Sequence, residues 1–418
     1  MQALPGFRDF LPGDCAVRNY IFRQWREVSR RYGFVEYDGP LLEDLDLFKK
    51  KSGEEIAKQL YDFTDKGGRA VALRPEMTPT LARMAAASHR DFRKPMKWFS
   101  IPQMFRYERP QRGRLREHYQ YNGDIIGEAG VEAEIELIAL CVDLLRSFGF
   151  TAADVVVRIS DREFWIDFLR RHAVPEERWQ EVLEIIDKSE REPREKTAAR
   201  LGELADPVFQ VFDGGGTSDK LERLLAGLRV RSLADYVKVD LRIVRGLAYY
   251  TGVVFEAFDR GGKLRAIAGG GRYDHLIHHL SDGAASLPAL GFAMGDVVLG
   301  ELLRENAVAR ARMETATGRA QELDVYVVIA KEERRDDALG AVQAMRDAGY
   351  RVDYSLVPAK VGKQFQNAEH LQARSAVLFG DEWPQVKVKV LASRAEQLVP
   401  HEELLAHLAR LHSVSSQV

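Results

Sequence analysis

Residues 105–126 read FRYERPQRGRLREHYQYNGDII, an arginine-rich segment running into a strand of alternating polar and apolar residues. The spacing predicts a strand over about 98–107 and another over 119–126, joined by an arginine-rich loop in which Pro110 and Gly113 mark a tight hairpin. Strands joined so directly run antiparallel. Strand signals return at 237–256 and 264–268 with no helix between them, which disfavours a doubly wound parallel sheet. Helical periodicity occupies 16–32 and 131–148, and Thr78-Pro79 reads as an N-cap with proline at N1. From about 150 to 235, after the strand-like run AADVVVRIS, the text is amphipathic helix with dense charge, broken by Gly214-Gly215-Gly216. Beyond a polar stretch at 304–322, LDVYVVI, RVDYSLV, SAVLF and VKVKVL alternate with helical segments over short connections. The expectation is an α+β protein. An antiparallel-sheet domain spans 1–320 with a helical insertion at about 150–235, and an α/β domain spans 321–418.

Composition narrows the class. With 45% apolar and 30% charged residues in 418, the chain is ordinary globular protein with ample core. Lys+Arg at 61 against Asp+Glu at 63 leaves a net charge of −2, so any nucleic-acid contact must come from a local patch. Cys15 and Cys141 form no Cys-x-x-Cys pair, which argues against a disulfide framework and a cysteine zinc site. The N-terminus MQALPGFRDF does not read as a signal peptide, and glycines, Asp296 and Glu301 interrupt the most apolar window, 287–303. A cytoplasmic protein without a membrane span is expected.

The chemistry-bearing residues begin in the same hairpin. Five arginines fall between Arg106 and Arg116 against the single acid Glu108. Charge runs are usually solvated loops. This one sits on a hairpin that would aim Arg106 and Arg114 back over the sheet, where guanidinium forks suit phosphate oxygens. On the following strand Gln120, Asn122 and Asp124 share one face, and Tyr119, Tyr121 and Ile125 the other. A carboxylate beside arginines suits an amino-bearing ligand. Arg74, Glu76 and Thr78 alternate in an extended stretch, although Thr78 also suits a helix cap. Arg245 leads into Tyr249 and Tyr250, and Gly269-Gly270-Gly271-Arg272-Tyr273-Asp274 permits close backbone approach. The chain has no dinucleotide fingerprint, no GxxxxGK[ST] loop and no Gly-x-Ser-x-Gly elbow. His275, His278 and His279 lack a completing ligand and read as surface residues, so no metal site is assigned.

In order along the chain, these segments resemble the class II aminoacyl-tRNA synthetases, and within them the histidyl-tRNA synthetase family. GFRDFLPGD, GFVEYDGPLLEDLDLF and ALRPEMTPTLAR resemble its opening and first class motif. FRYERPQRGRLREHYQYNGDIIG is similar to motif 2, RGLAYYTGVVFE and GGGRYD to the histidine-specific signatures, and GFAMG to motif 3. The C-terminal domain, with Val361-Gly-Lys-Gln-Phe365, resembles the family's anticodon-binding domain. The resemblance implies ATP, Mg²⁺, L-histidine and tRNA(His) as ligands and a homodimer as the assembly. Arg106 would hold the α-phosphate and the histidine carboxylate, Arg114 the outer phosphates, and Arg245 the charge that builds on the α-phosphate. Glu76, Thr78 and Gln120 would receive the α-amino group. Asp124 and Tyr250 would bracket the imidazole, with Tyr249 and Tyr273 lining its pocket. Lys360, Lys363 and Gln364 would contact the anticodon.

Two positions depart from the family pattern. Ala248 stands where an aspartate is usual, and Val298 stands where motif 3 usually places an arginine that stacks on adenine. Both changes resemble a branch that includes plant organellar members. The altered motif 3 also keeps a second reading open, a synthetase-like regulatory subunit of ATP phosphoribosyltransferase without aminoacylation activity. The additional C-terminal domain and the intact Arg106, Arg114, Gln120 and Arg245 weigh against it.

Overall fold

Strand Glu117–Ile126 is the spine of a nine-stranded sheet. It pairs antiparallel with Met96–Ser100 on one side and with Ala289–Gly295 on the other. Strands Ala268–Arg272, Val253–Asp259 and Val155–Asp161 follow, each antiparallel to its neighbour. Two short edge strands, Val35–Glu36 and Val237–Val239, add in parallel. This computed structural model describes residues 2–52, 59–244 and 249–413. It divides into two units, Met1–Met313 and Glu314–Val418.

Local chemistry explains where the observed elements depart from the expected ones. The strand expected over 98–107 is split into Met96–Ser100 and Gln103–Phe105, because Pro102 has no N–H for the ladder. The Pro102 carbonyl instead accepts from Gln120 N at 3.1 Å. The first helix runs Pro12–Arg31, a turn earlier than the periodicity suggests, because Pro12 is favourable in a first turn. The apolar run at 237–256 is not one strand. Asp240 accepts from the backbone N–H of Arg242 at 3.2 Å and from its guanidinium at 2.8 and 2.7 Å, a side-chain turn that ends the strand at Val239. Strand Val155–Asp161 belongs to the main sheet, and the helices between it and Val237–Val239 run from Arg162 to Val230.

The Leu-rich helix Glu132–Ser147 is buried along nearly its whole length against the sheet. Arg272, at the end of the glycine strand, reaches Glu134 on that helix through two contacts of 2.6 and 2.7 Å, with both side chains almost fully buried. A pair removed this far from water depends on such two-point geometry. Glycine is required in the strands themselves. A Cβ on Gly270 would lie 2.2 Å from the Gly291 carbonyl oxygen, and one on Gly291 would lie 1.8 Å from Asp124 Oδ1.

The second unit is a five-stranded sheet in the order Val352–Tyr354, Val325–Ile329, Ser375–Phe379, Gln385–Val390, Glu396–Pro400. The first three are parallel and the last two antiparallel. Its own core joins Val325, Val327, Met345, Phe379 and Leu408. Gln364 is not an exposed recognition residue. Its side chain is buried and bonds both the N–H and the carbonyl of Ile329, at 2.9 and 2.8 Å, tying helix Val361–His370 to the sheet. Lys360 and Lys363 beside it are exposed.

Candidate active site

A cleft of about 300 Å³ opens over the polar face of Glu117–Ile126. Glu76, Thr78, Arg106, Arg114, Gln120, Asp124, Tyr249, Tyr250 and Tyr273 all line it. Arg245 and Ala248 lie outside the described residues. The alternation of the strand does the sorting. His118, Gln120, Asn122 and Asp124 face the cleft, while Tyr121 is packed among Trp25, Phe99 and Phe292 with its hydroxyl 2.9 Å from Ser29 Oγ.

The arginine hairpin is held by short contacts. Gln111 and Arg114 exchange backbone hydrogen bonds of 3.0 and 2.9 Å, and Gly113 makes the turn at φ +72°. Arg112 pairs with Glu301 and Glu305 at 2.9 and 2.6 Å, anchoring the tip on helix Asp296–Glu305. Arg106 donates through Nε to the Pro75 carbonyl at 3.0 Å, and Arg114 rests on Glu108 at 2.5 Å. Burial and then the Arg106 charge push the His118 imidazole down to about 3, so it stays neutral. Behind the strand, Arg8 bridges Glu117 at 2.7 Å and Asp296 at 2.9 Å. Burial still pushes the Asp296 carboxyl up to about 6.

Asp124 is the floor of the cleft. Its side chain lies over Gly291, its register partner, and accepts from the Tyr273 hydroxyl at 2.5 Å. Burial pushes this carboxyl up to about 7, although the Tyr273 hydrogen bond and the Lys51 charge pull the other way. An acid in that range can accept from, or share a proton with, a ligand of similar basicity. Tyr249 and Tyr250 pack with ring centres 4.5 Å apart and planes tilted by 40°, and Tyr273 stands edge-on to Tyr249 at 6.3 Å.

Thr78 is the first residue of helix Thr78–Ser88, and the N-cap position falls on Met77, so the capping role expected of Thr78 is not observed. Arg74 is turned away from the cleft. It is buried against Asp38 at 2.7 Å and the carbonyls of Gly39 and Gln103. Three further residues contribute. Lys51, from helix Leu45–Ser52, pairs with Glu76 and lies 4.3 Å above the Tyr249 ring. Glu256 and Arg265 line the wall.

The profile of Histidyl-tRNA synthetase matches residues 6–212 and 194–296 of this chain. The chain belongs to the histidyl-tRNA synthetase family. The Anticodon binding domain profile matches residues 324–411. The Histidine--tRNA ligase of Opitutus terrae is 44% identical, covering 97% of each chain. The chloroplastic/mitochondrial Histidine--tRNA ligase of Arabidopsis thaliana is 42% identical over 93% of this chain and 82% of its own. In three dimensions the chain is similar to a histidyl-tRNA synthetase from Nostoc, with a TM-score of 0.79 at 23% identity, covering 98% and 99% of the two chains. At that identity the likeness speaks for the fold, a histidyl-tRNA synthetase catalytic sheet followed by a separate α/β unit.

Membership in the histidyl-tRNA synthetase family also locates the departure at Val298. That side chain is nearly buried at the cleft wall, and a Cβ on Gly113 would lie 3.3 Å from its Cγ2. His275, His278 and His279 are exposed, and no cluster of three metal-ligating side chains occurs among the described residues. No described helix is long and apolar enough to cross a membrane.

Proposed function

We propose that the protein is a cytoplasmic, homodimeric histidine–tRNA ligase. It activates L-histidine with ATP and transfers the histidyl group to tRNA(His). The observation that carries the reading is Asp124, a buried carboxyl near neutrality and bonded to Tyr273, at the floor of a cleft whose walls carry Arg106 and Arg114. Asp124 and Tyr250 pair the two imidazole nitrogens, Tyr249 and Tyr273 enclose the ring, and Glu76, Thr78 and Gln120 take the α-ammonium. A site built to pair both nitrogens rejects analogues that lack them, because its own buried polar groups would be left unpaired.

Arg106 orients the histidine carboxylate against the α-phosphorus of ATP. The carboxylate oxygen attacks, the bond to pyrophosphate breaks, and Arg114 holds the departing phosphates. Arg245, assigned by the family pattern, stabilises the charge that accumulates on the α-phosphoryl oxygens. A ribose hydroxyl of the tRNA terminus then attacks the carbonyl carbon, its proton passes to a phosphate oxygen of the adenylate, and AMP leaves. Positioning and fixed charge do this work without a covalent enzyme intermediate. Mg²⁺ favours one or two carboxylates plus substrate phosphates, and Glu256 in the cleft wall fits that demand. A bound ion would neutralise phosphate charge there.

The second unit grips the anticodon, with Lys360 and Lys363 exposed for phosphate contacts. Because that unit has its own core, a fragment ending at Gly318 keeps histidine-dependent pyrophosphate exchange but charges tRNA(His) poorly. The lost contacts are binding contacts, so the defect appears chiefly as a raised tRNA KM. Charging kinetics of fragment and full chain test this. Unchanged charging efficiency, or a folded fragment without exchange, contradicts it.

A further inference from the structure

Val298 offers no cation to the cleft, and an arginine from another element stands beside it. Arg265 lies on the loop between strands Val253–Asp259 and Ala268–Arg272. Its exposed side chain lines the cleft. It makes no hydrogen bond or ion pair among the described residues, although arginines nearby such as Arg112 and Arg114 are paired with acids. A Cβ on Gly113 would lie 3.3 Å from Val298 Cγ2 and 3.6 Å from Arg265 Cδ, so both side chains meet over the same hairpin glycine.

The charges around Arg265 are unbalanced. Burial, then the like charge of Arg114 and more weakly that of Arg191, lower its guanidinium from the ordinary value, and Glu108 opposes them. Glu108 is already committed to Arg114 at 2.5 Å. Two guanidiniums sharing one acid leave an excess positive charge at the hairpin. An anion with several oxygens relieves that excess, and it can take fork hydrogen bonds from both groups at once.

We propose that Arg265 grips the outer phosphates of ATP together with Arg114, supplying from the 260–267 loop the cation that position 298 lacks. The assignment rests on the reading that this cleft binds ATP.

Titration calorimetry of the full chain with magnesium pyrophosphate reads this grip without any chemistry. Arg265→Ala is expected to weaken pyrophosphate binding about ten- to hundredfold, the usual weight of a charge-assisted contact. It should raise the KM for ATP similarly in exchange assays and leave the KM for histidine unchanged. Arg265→Lys keeps the charge without the fork and should recover part of the loss. Because Arg265 has no hydrogen-bond or ion-pair partner among the described residues, thermal stability should not move. Unchanged pyrophosphate affinity in Arg265→Ala overturns the assignment. A raised ATP KM with normal pyrophosphate binding also overturns it, placing the residue on the adenosine half. If pyrophosphate binding depends on Arg265 but no amino acid supports exchange, the ligase reading fails and this assignment stands.

Discussion

Asp124→Asn lowers kcat/KM for histidine in adenylate formation about 10²- to 10³-fold, the usual weight of one preorganised charged partner in a dry site. Asparagine matches the carboxyl in shape and fits over Gly291, so the loss reports charge and acceptor capacity rather than packing. The same variant carries a signature in stability. In the folded chain the carboxyl holds its proton up to about pH 7, against an ordinary value of 3.8. Between those limits the folded state binds more protons than the unfolded state, so wild-type stability falls as pH rises through the window. Each unit of such a shift corresponds to about 1.4 kcal/mol. Asp124→Asn has no such titration. It should therefore be more thermostable than wild type at pH 8, with the advantage shrinking toward pH 4. Thermal melts across that range check the sign, and an advantage that grows on acidification contradicts it.

Arg106→Ala produces the second large effect, a slowing of single-turnover adenylation by about 10²- to 10³-fold. Its Nε is fixed on the Pro75 carbonyl, which aims the rest of the guanidinium into the cleft beside His118. In the proposed reaction one group there would face both the carboxylate and the α-phosphate, so its removal would disorder the two reactants together. Arg106→Lys should rescue poorly, since a lysine cannot bond the Pro75 carbonyl and two ligand oxygens in one plane. Rapid-quench measurement of adenylate decides this. Near-normal rates in Arg106→Ala remove the residue from the reaction.

The hairpin and the alternating strand after it were legible because both depend on local rules. Pro110 and Gly113 fix the turn, and a period of two places Gln120, Asn122 and Asp124 on one face. Residues brought in by long-range folding were not legible in the same way. Lys51 reads as one of three consecutive lysines on a short helix, and only the packing of that helix brings its ammonium to Glu76 and Tyr249. Arg265 falls in the strand expected over 264–268, but that strand begins only at Ala268 and Arg265 stays on the connecting loop, where nothing local tells that Val298 lies beside it. Gln364 failed in the opposite direction. Preceded by Gly362 and Lys363 it looks exposed, yet it satisfies the backbone of Ile329 inside the second unit. The edge strand Glu396–Pro400 escaped because it opens on two polar residues and exposes Leu398, leaving a single buried valine, Val399, as signal.

The most direct test of the ligase reading is pyrophosphate exchange into ATP by the full chain with Mg²⁺, run against each standard amino acid without tRNA. L-Histidine is expected to support exchange, with the others near background. Exchange driven by a different amino acid, with histidine inactive, contradicts the assignment of Asp124 and Tyr250 to an imidazole. Exchange with none contradicts the ligase account itself and favours the regulatory-subunit reading.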